Sequence, residues 1–357
     1  MPSSLTRQAS SHDLALHPAR DELFDWILSN QQSCRYNLTS SGLTEPDLRA
    51  MGVDTSYEAY TSEKTDLEWA FAEEVAKSYK VEPENVVLTA GASEAIFLVY
   101  SAFGAGGRAV VPLPNYPPMF TVPLSLGMTV SSSLKGPKPS GTIIGLTDPN
   151  NPTGESLDAG MVESLLDSGR GRGATVFLNE TYREFTFPGR PRTHFGSSPN
   201  LVTCNTMTKF YGLGRLRVGW ILADRQEARQ LLYAKWAVSG HDSEYSLWIA
   251  TQVLRKRQRF VERARRIRST NARLVRKFLG DTGGVSANLG VTPFCLVHYS
   301  KGPSSLQLAR AILSKTGVLI APGDFFSAPK AFRLCFTADK QTLRHGLEAL
   351  SEFFGRN

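Results

Sequence analysis

The chain has 357 residues, enough for two domains or one large one with an appendage, and enough to bury a core without staples. Hydrophobic residues make up 41% and charged residues 20%, which excludes a disordered or fibrous chain. The net charge of +7 is spread along the chain, so it permits anionic ligands without arguing for nucleic acid.

The first twenty or so residues are polar and rich in Ser and His, and read as a loose arm or a first helix. They contain no unbroken apolar run, so neither a signal peptide nor a membrane span is expected there, and no later stretch is long and apolar enough to span a bilayer. Cys34, Cys204, Cys295 and Cys335 lie far apart without a CxxC pair, which suggests neither zinc nor a disulfide framework and fits a reduced, cytoplasmic compartment. Residues 63–80 carry Leu67, Phe71 and Val75 at helical spacing. Val86, Val87 and Leu88 form a short strand, and Gly91 opens an apolar helix, ASEAIFLVYSAF, that ends at Gly104, Gly106 and Gly107. RAVVPLP is the next strand. TIIGL (142–146), TVFLNE (175–180), NLVTCNT (200–206) and GWILAD (219–224) are further strands, with SLDAGMVESLLDSG a helix between the first two. Short apolar strands separated by helices predict a buried, mostly parallel sheet with right-handed crossovers.

From about residue 225 the texture changes. QEARQLLYAKWAV is helical. Residues 246–279 read as one long Arg-rich helix, with Val253, Phe260, Ile267, Leu274 and Phe278 on its apolar side and a solvated basic face opposite. The tail alternates again: VTPFCLVHY (strand), SSLQLARAILSKTG (helix), VLIAPG (strand), FRLCFTA (strand) and a last helix. That pattern predicts a small α+β domain.

Five local signals follow one another in order. TAGASEA (89–95) is a Gly-rich turn entering a helix, where free backbone N–H groups and the positive dipole end suit a phosphate; an ordinary helix cap reads equally well. Tyr116, on the Pro-rich loop PLPNYPPM, could stack on a flat ring or serve structure alone. DPNNPTG (148–154) is a turn that puts the Asn151 amide at a strand's C-terminal end, where open α/β sheets bind ligands. In FLNETYREF (177–185), Asn179 and Glu180 point to opposite faces of a strand and Tyr182 lies just past its end. In NTMTKFYGLGRLRVGW (205–220), Lys209 sits in a Thr-rich turn with Arg217 eight residues on. A buried lysine can lose its proton and form a Schiff base with a carbonyl, and Thr206 with Arg217 would suit a phosphate.

This ordered set resembles the pyridoxal-phosphate (PLP) enzymes of fold type I, in the class I/II aminotransferase family. The resemblance runs from about residue 36 to about 345. It implies an α/β fold: a large domain with a mostly parallel sheet of the seven-stranded type, and a small α+β domain. Residues 1–49 would be an N-terminal arm joining the small domain, 50–240 the PLP-binding domain, and 241–357 an interdomain helix and the small C-terminal domain. The resemblance also implies roles. Lys209 would form the Schiff base with PLP and, with Tyr182, do the catalytic work. Gly91, Ala92, Ser93, Thr206 and Arg217 would hold the phosphate. Tyr116 would stack on the pyridine ring, and Asn151 and Tyr182 would hydrogen-bond its phenolic oxygen. Arg333 in FRLCF would take the substrate carboxylate, with Gly42 and Asn151 beside it. Tyr60, or alternatively Tyr57, would reach into the neighbouring subunit's site of a homodimer.

One position departs from the family pattern: Asn179 stands where the family has Asp. The family carboxylate keeps the pyridine nitrogen protonated, and a neutral amide cannot supply that charge. The implied activity is a PLP-dependent enzyme acting at the α-carbon of an amino acid, an aminotransferase first. Lyase, cyclase or oxidase chemistry of a natural-product pathway is the alternative, since YNLTSSGL resembles the branch holding capreomycidine synthases and PLP-dependent arginine oxidases. A more distant reading is a non-catalytic PLP-binding regulator that joins DNA through the Arg-rich helix; no partner nucleic acid or membrane is expected.

Overall fold

The computed structural model describes residues 19–104, 107–136, 138–158, 160, 165, 173–186 and 191–355. The polar arm up to residue 18, Gly106, and most of the helix expected over 156–169 lie outside the described residues.

In chain order the elements are α1 (Glu22–Asn30), β1 (Tyr36–Asn37), α2 (Tyr57–Ser62), α3 (Leu67–Tyr79), β2 (Val86–Thr89), α4 (Ala92–Phe103), β3 (Arg108–Val110), α5 (Pro118–Ser125), β4 (Thr129–Ser131), β5 (Thr142–Thr147), β6 (Thr175–Asn179), β7 (Leu201–Thr206) and β8 (Gly219–Leu222). There follow α6 (Arg225–Val238), α7 (Glu244–Arg255), α8 (Arg257–Asp281), β9 (Val285–Ser286), β10 (Phe294–Tyr299), α9 (Ser305–Thr316), β11 (Val318–Leu319), β12 (Ala321–Pro322), β13 (Ala331–Cys335) and α10 (Lys340–Phe354).

Seven strands form the large sheet in the order β2-β8-β7-β6-β5-β3-β4, with β8 antiparallel to both neighbours and the other pairs parallel. Every residue of β2, β5, β7 and β8 is buried, as expected for strands covered on both faces. On one side Ile96, Val99 and Tyr100 of α4 pack with Ile143, Phe177 and Ile221 of the sheet. On the other, Phe71 and Val75 of α3 pack with Trp220 and with Leu247 and Val253 of α7. Parallel order sends the C-terminal ends of β5, β6 and β7 to one edge, where the loops carrying Asn151, Tyr182 and Lys209 begin. A second core lies around the antiparallel sheet β12-β13-β10-β9, joined by Leu23 and Trp26 of α1 and by the parallel pair β1-β11.

Two expectations are corrected. The single helix over 246–279 is two helices, parted at Lys256 (φ −105°, ψ 19°). The break turns the buried Arg257 inward, where its Nε donates to the Glu184 carboxylate at 2.9 Å. A long-range ion pair therefore sets the boundary, which periodicity along the chain does not reveal. Several other arginines of this stretch also point inward or along the protein: Arg263 donates to the Thr44 hydroxyl (3.0 Å) and Arg268 to the Gly290 carbonyl (2.6 Å). The second correction is VLIAPG, which is two short strands in different sheets: β11 pairs with β1, and β12 pairs with β13.

Candidate active site

A cavity of about 160 Å³ opens at the C-terminal edge of the large sheet. Ala92, Ser93, Tyr116, Asn151, Asn179, Tyr182, Thr206, Lys209 and Arg217 line it, all of them expected from the sequence. Phe24, Thr147, Thr181 and Thr208 line it too.

Lys209 sits three residues beyond the end of β7, directly after a two-residue turn. Burial, with the nearby Arg333 guanidinium, pulls its ammonium down from 10.5 to about 8. Its Nζ donates to Ser41 Oγ at 3.2 Å, and the Tyr182 hydroxyl donates to the same oxygen at 2.8 Å. Burial pushes the Tyr182 phenol up to about 12, so it stays a donor at neutral pH. Its ring meets Phe294 edge-on, with centroids 4.8 Å apart.

Gly91 has φ +85°, and an added Cβ would lie 2.7 Å from Arg217 Nη2. Only a glycine lets the guanidinium come this close to the start of α4. Arg217 Nη2 donates to the Ala90 carbonyl at 2.8 Å and Nη1 to the Gly214 carbonyl at 3.1 Å, so the fork is held over the helix N-terminus. Thr206 Oγ1 donates to the Val218 carbonyl and shares a hydrogen bond with Thr208 Oγ1, both at 2.9 Å.

Arg333 lies one bond behind the wall. It is buried in β13, with Nη1 donating to Asn151 Oδ1 and Nη2 to the Thr39 carbonyl, each at 2.9 Å. Its Nε is buried with no partner, and the guanidinium carbon lies 4.9 Å from the Phe326 ring centre. Gly42 is tight against the Lys209 turn: a Cβ there would meet the Thr208 carbonyl at 3.0 Å and Lys209 Cδ at 3.2 Å. As the strand geometry predicts, Glu180 faces away from Asn179 and its carboxylate accepts from the His194 amide at 2.7 Å. Tyr60 is not on this wall. It belongs to an aromatic group with Tyr57, Tyr245 and Trp248, and its hydroxyl is 3.4 Å from Glu244 Oε2. Tyr57 is 69% exposed.

Sequence reasoning passed over Ser41, Phe24 and the threonines. Ser41 stands in YNLTSSGL beside the Gly42 that was singled out, and adjacency was the available signal. Phe24 gave none, since its place depends on how α1 docks.

A family model described as aminotransferase class I and II matches residues 54–350. The chain belongs to that family. Among curated relatives of this aminotransferase-family chain, a probable aspartate/prephenate aminotransferase of Aquifex aeolicus is 24% identical over 88% of this chain and 87% of its own length. Histidinol-phosphate aminotransferase 2 of Pasteurella multocida is 26% identical over 80% of each chain. Among solved structures, a PLP-dependent aminotransferase from Streptococcus suis superposes with a TM-score of 0.85 at 24% identity, covering 95% of this chain and 99% of that one. The PLP-dependent cyclase OrfR superposes with a TM-score of 0.79 at 20% identity, covering 99% of both. These likenesses share the fold.

The cofactor of this enzyme is PLP, and the donor set suits it. A cradle that a Cβ at Gly91 would fill lies beside an arginine at a helix N-terminus, an arrangement that suits a phosphate. A lysine held near pKa 8 faces the same cavity and suits a Schiff base. Among the described residues no helix is long and apolar enough to cross a membrane.

Proposed function

We propose that this PLP-dependent transferase moves an amino group between an α-amino acid and an α-keto acid, with Lys209 as the reacting lysine. The observation that carries the reading is Lys209 itself, lowered to about 8 in a cavity shared with Tyr116, Asn151, Tyr182 and Arg217. When bound, PLP withdraws electrons from the α-carbon of an amino acid joined to it.

This chain's residues supply the rest. A lysine titrating near 8 is partly unprotonated at neutral pH, so Nζ can attack a carbonyl and afterwards accept the α-proton and return it. Ser41 Oγ, accepting from Nζ, keeps the amine aimed. Tyr182 remains protonated and donates, and Tyr116 offers its ring face. Arg217, with Gly91, Ala92, Ser93 and Thr206, holds the phosphate. The buried fork of Arg333, braced by Asn151 and Thr39 and with Nε unused, is built for a carboxylate. Phe294 and Phe326 exclude water from that fork. Gly42, without a side chain, lets the N-terminal segment lie tight against Lys209. Residues 50–240 would form the cofactor-holding domain, and the N-terminal arm and 241–357 the smaller one. The enzyme would work as a cytoplasmic homodimer, with Tyr60 or Tyr57 facing the partner's site; the exposed Tyr57–Tyr60 aromatic group supports that surface.

Asn179 favours a second reading, elimination, cyclisation or oxidation of the same bound amino acid, because these lean less on a charged ring. Arg257 is buried against Glu184, and Arg263 and Arg268 are tied to the protein's own oxygens, so three arginines of α8 are committed within the protein rather than free for DNA.

The test is the visible spectrum of the PLP-loaded protein against a panel of amino acids. Bleaching of the lysine-bound band by an amino acid, its restoration by an α-keto acid, and mass detection of the keto product support transamination. A band that shifts without bleaching, with a cyclised or eliminated product, selects the second reading. A protein that neither binds PLP nor responds to any amino acid refutes both.

A further inference from the structure

We propose that Asn179 holds the ring nitrogen of PLP unprotonated, as the acceptor of a hydrogen bond from its amide. The inference rests on the reading that PLP occupies the cavity.

The orientation of the amide decides the argument. Carbonamide oxygen and nitrogen look alike by shape, so the bonding partners must assign them. The backbone N–H of Thr181 can only donate, and it donates to Asn179 Oδ1 at 3.2 Å. The Thr181 hydroxyl donates to the same oxygen. The oxygen end is therefore committed to Thr181, and the end left over is Nδ2. Its nearest partner is the Met119 sulfur at 3.9 Å, a weak acceptor. Asn179 is buried and lines the cavity, and of the two N–H groups on Nδ2 one is directed at the Met119 sulfur, which leaves the other for a bound ring.

A donor in this place requires an acceptor opposite. A pyridine nitrogen accepts only when it carries no proton.

The surroundings agree. Across the sheet Asn179 is flanked by Thr147 of β5 and Cys204 of β7, and Met119 comes from α5. None carries a charge; burial holds the Cys204 thiol up, so it stays neutral. The acids at the ends of β6 and the neighbouring β5 are engaged elsewhere. Glu180 accepts from the His194 amide and pairs with Arg183 at 3.6 Å, and Asp148 is bonded to Arg183 and to His194 Nε2. No Asp or Glu is among the described residues lining the cavity, whereas Lys209 and Arg217 are. With no Asp or Glu among the described residues of the wall, a protonated ring nitrogen would have no carboxylate beside it to favour its charge.

An uncharged ring draws less electron density from the substrate α-carbon, which leaves more of the proton's handling to Lys209.

The experiment loads the intact protein with PLP labelled with 15N in the ring and reads its nitrogen resonance from pH 6 to 9. The expected resonance is that of an unprotonated pyridine across the range, and Asn179→Asp moves it to the pyridinium position. A pyridinium resonance in the wild-type protein overturns the proposal whatever the variant does, and so does an Asn179→Asp protein that binds PLP and keeps the unprotonated position. If the labelled cofactor does not bind the wild-type protein at all, the reading that PLP occupies the cavity falls and takes this one with it.

Discussion

Replacing Lys209 by methionine should stabilise the cofactor-free protein at neutral pH. The lysine's pKa is lowered from 10.5 to about 8, chiefly by burial and then by Arg333. At about 1.4 kcal/mol per unit, a displacement of that size corresponds to roughly 3 kcal/mol. Lys209 is only half-buried at the cavity mouth, so water screens part of it and about 2 kcal/mol is the expected effect. The sign follows from proton counting. The folded pKa lies below the unfolded one, so between about pH 8 and 10.5 the folded state binds fewer protons than the unfolded state. The destabilisation is fully present below pH 8 and fades as pH rises through that window. Methionine keeps the packing and removes the charge. Urea unfolding of the two cofactor-free proteins at pH 7 and at pH 10 checks this, because the other titrating groups cancel in the difference. Lys209→Met should lead by about 2 kcal/mol at pH 7 and lose most of that lead at pH 10. A variant that is equally or less stable at pH 7, or a gap that ignores pH, refutes the reasoning.

Arg333→Ala removes charge-assisted hydrogen bonds to the substrate carboxylate and should lower kcat/KM for an amino acid by roughly 100-fold or more, since such bonds contribute about 1.5–3 kcal/mol each. Steady-state kinetics check this, and an unchanged kcat/KM would show that the carboxylate is held elsewhere. Gly91→Ala forces a Cβ to 2.7 Å from Arg217 Nη2 at φ +85°, so PLP titration should show weaker retention, by roughly tenfold. Equal retention would place the phosphate away from this turn.

Much of the large sheet was legible because strands buried on both faces read as short β-branched and apolar runs: TIIGL, TVFLN and LVTCNT announce themselves. Strands β1, β4 and β9, of two or three residues, are too short to show a repeating pattern and are identified by the partner strands they pair with. The break at Lys256 escaped for a related reason: the side chain that sets it, Arg257, answers to Glu184, 73 residues away. The site divides in the same way. Gly91, Asn151, Tyr182 and Lys209 are carried by local turns whose chemistry shows in a few residues. Phe24 reaches the cavity, and Ser41 reaches Lys209 and Tyr182, from the far end of the chain, and no window of sequence brings them there. Asn179 is the instructive middle case. Its place on the wall was legible from strand alternation, but which end of its amide faces the cavity depends on Thr181, and only the structure shows that bond.

The segment that carries Ser41 also joins the two ends of the site. Leu38 and Thr39 are fastened to the small sheet: the Leu38 carbonyl accepts from the Cys335 amide at 3.0 Å, and the Thr39 carbonyl from Arg333 at 2.9 Å. Thr337 Oγ1 holds the Ser40 carbonyl at 2.7 Å. Two residues on, the attachment changes hands. Ser41 accepts from Lys209 Nζ and Tyr182, and the Leu43 amide donates to the Lys209 carbonyl at 2.9 Å. Residues 38–43 are thus a short strap between the arginine that suits a carboxylate and the lysine that suits a carbonyl. Its backbone is pinned at both ends, and Gly42 leaves no space between strap and lysine. The serine next to the glycine gives the strap a bond to the amine that a purely apolar residue could not make.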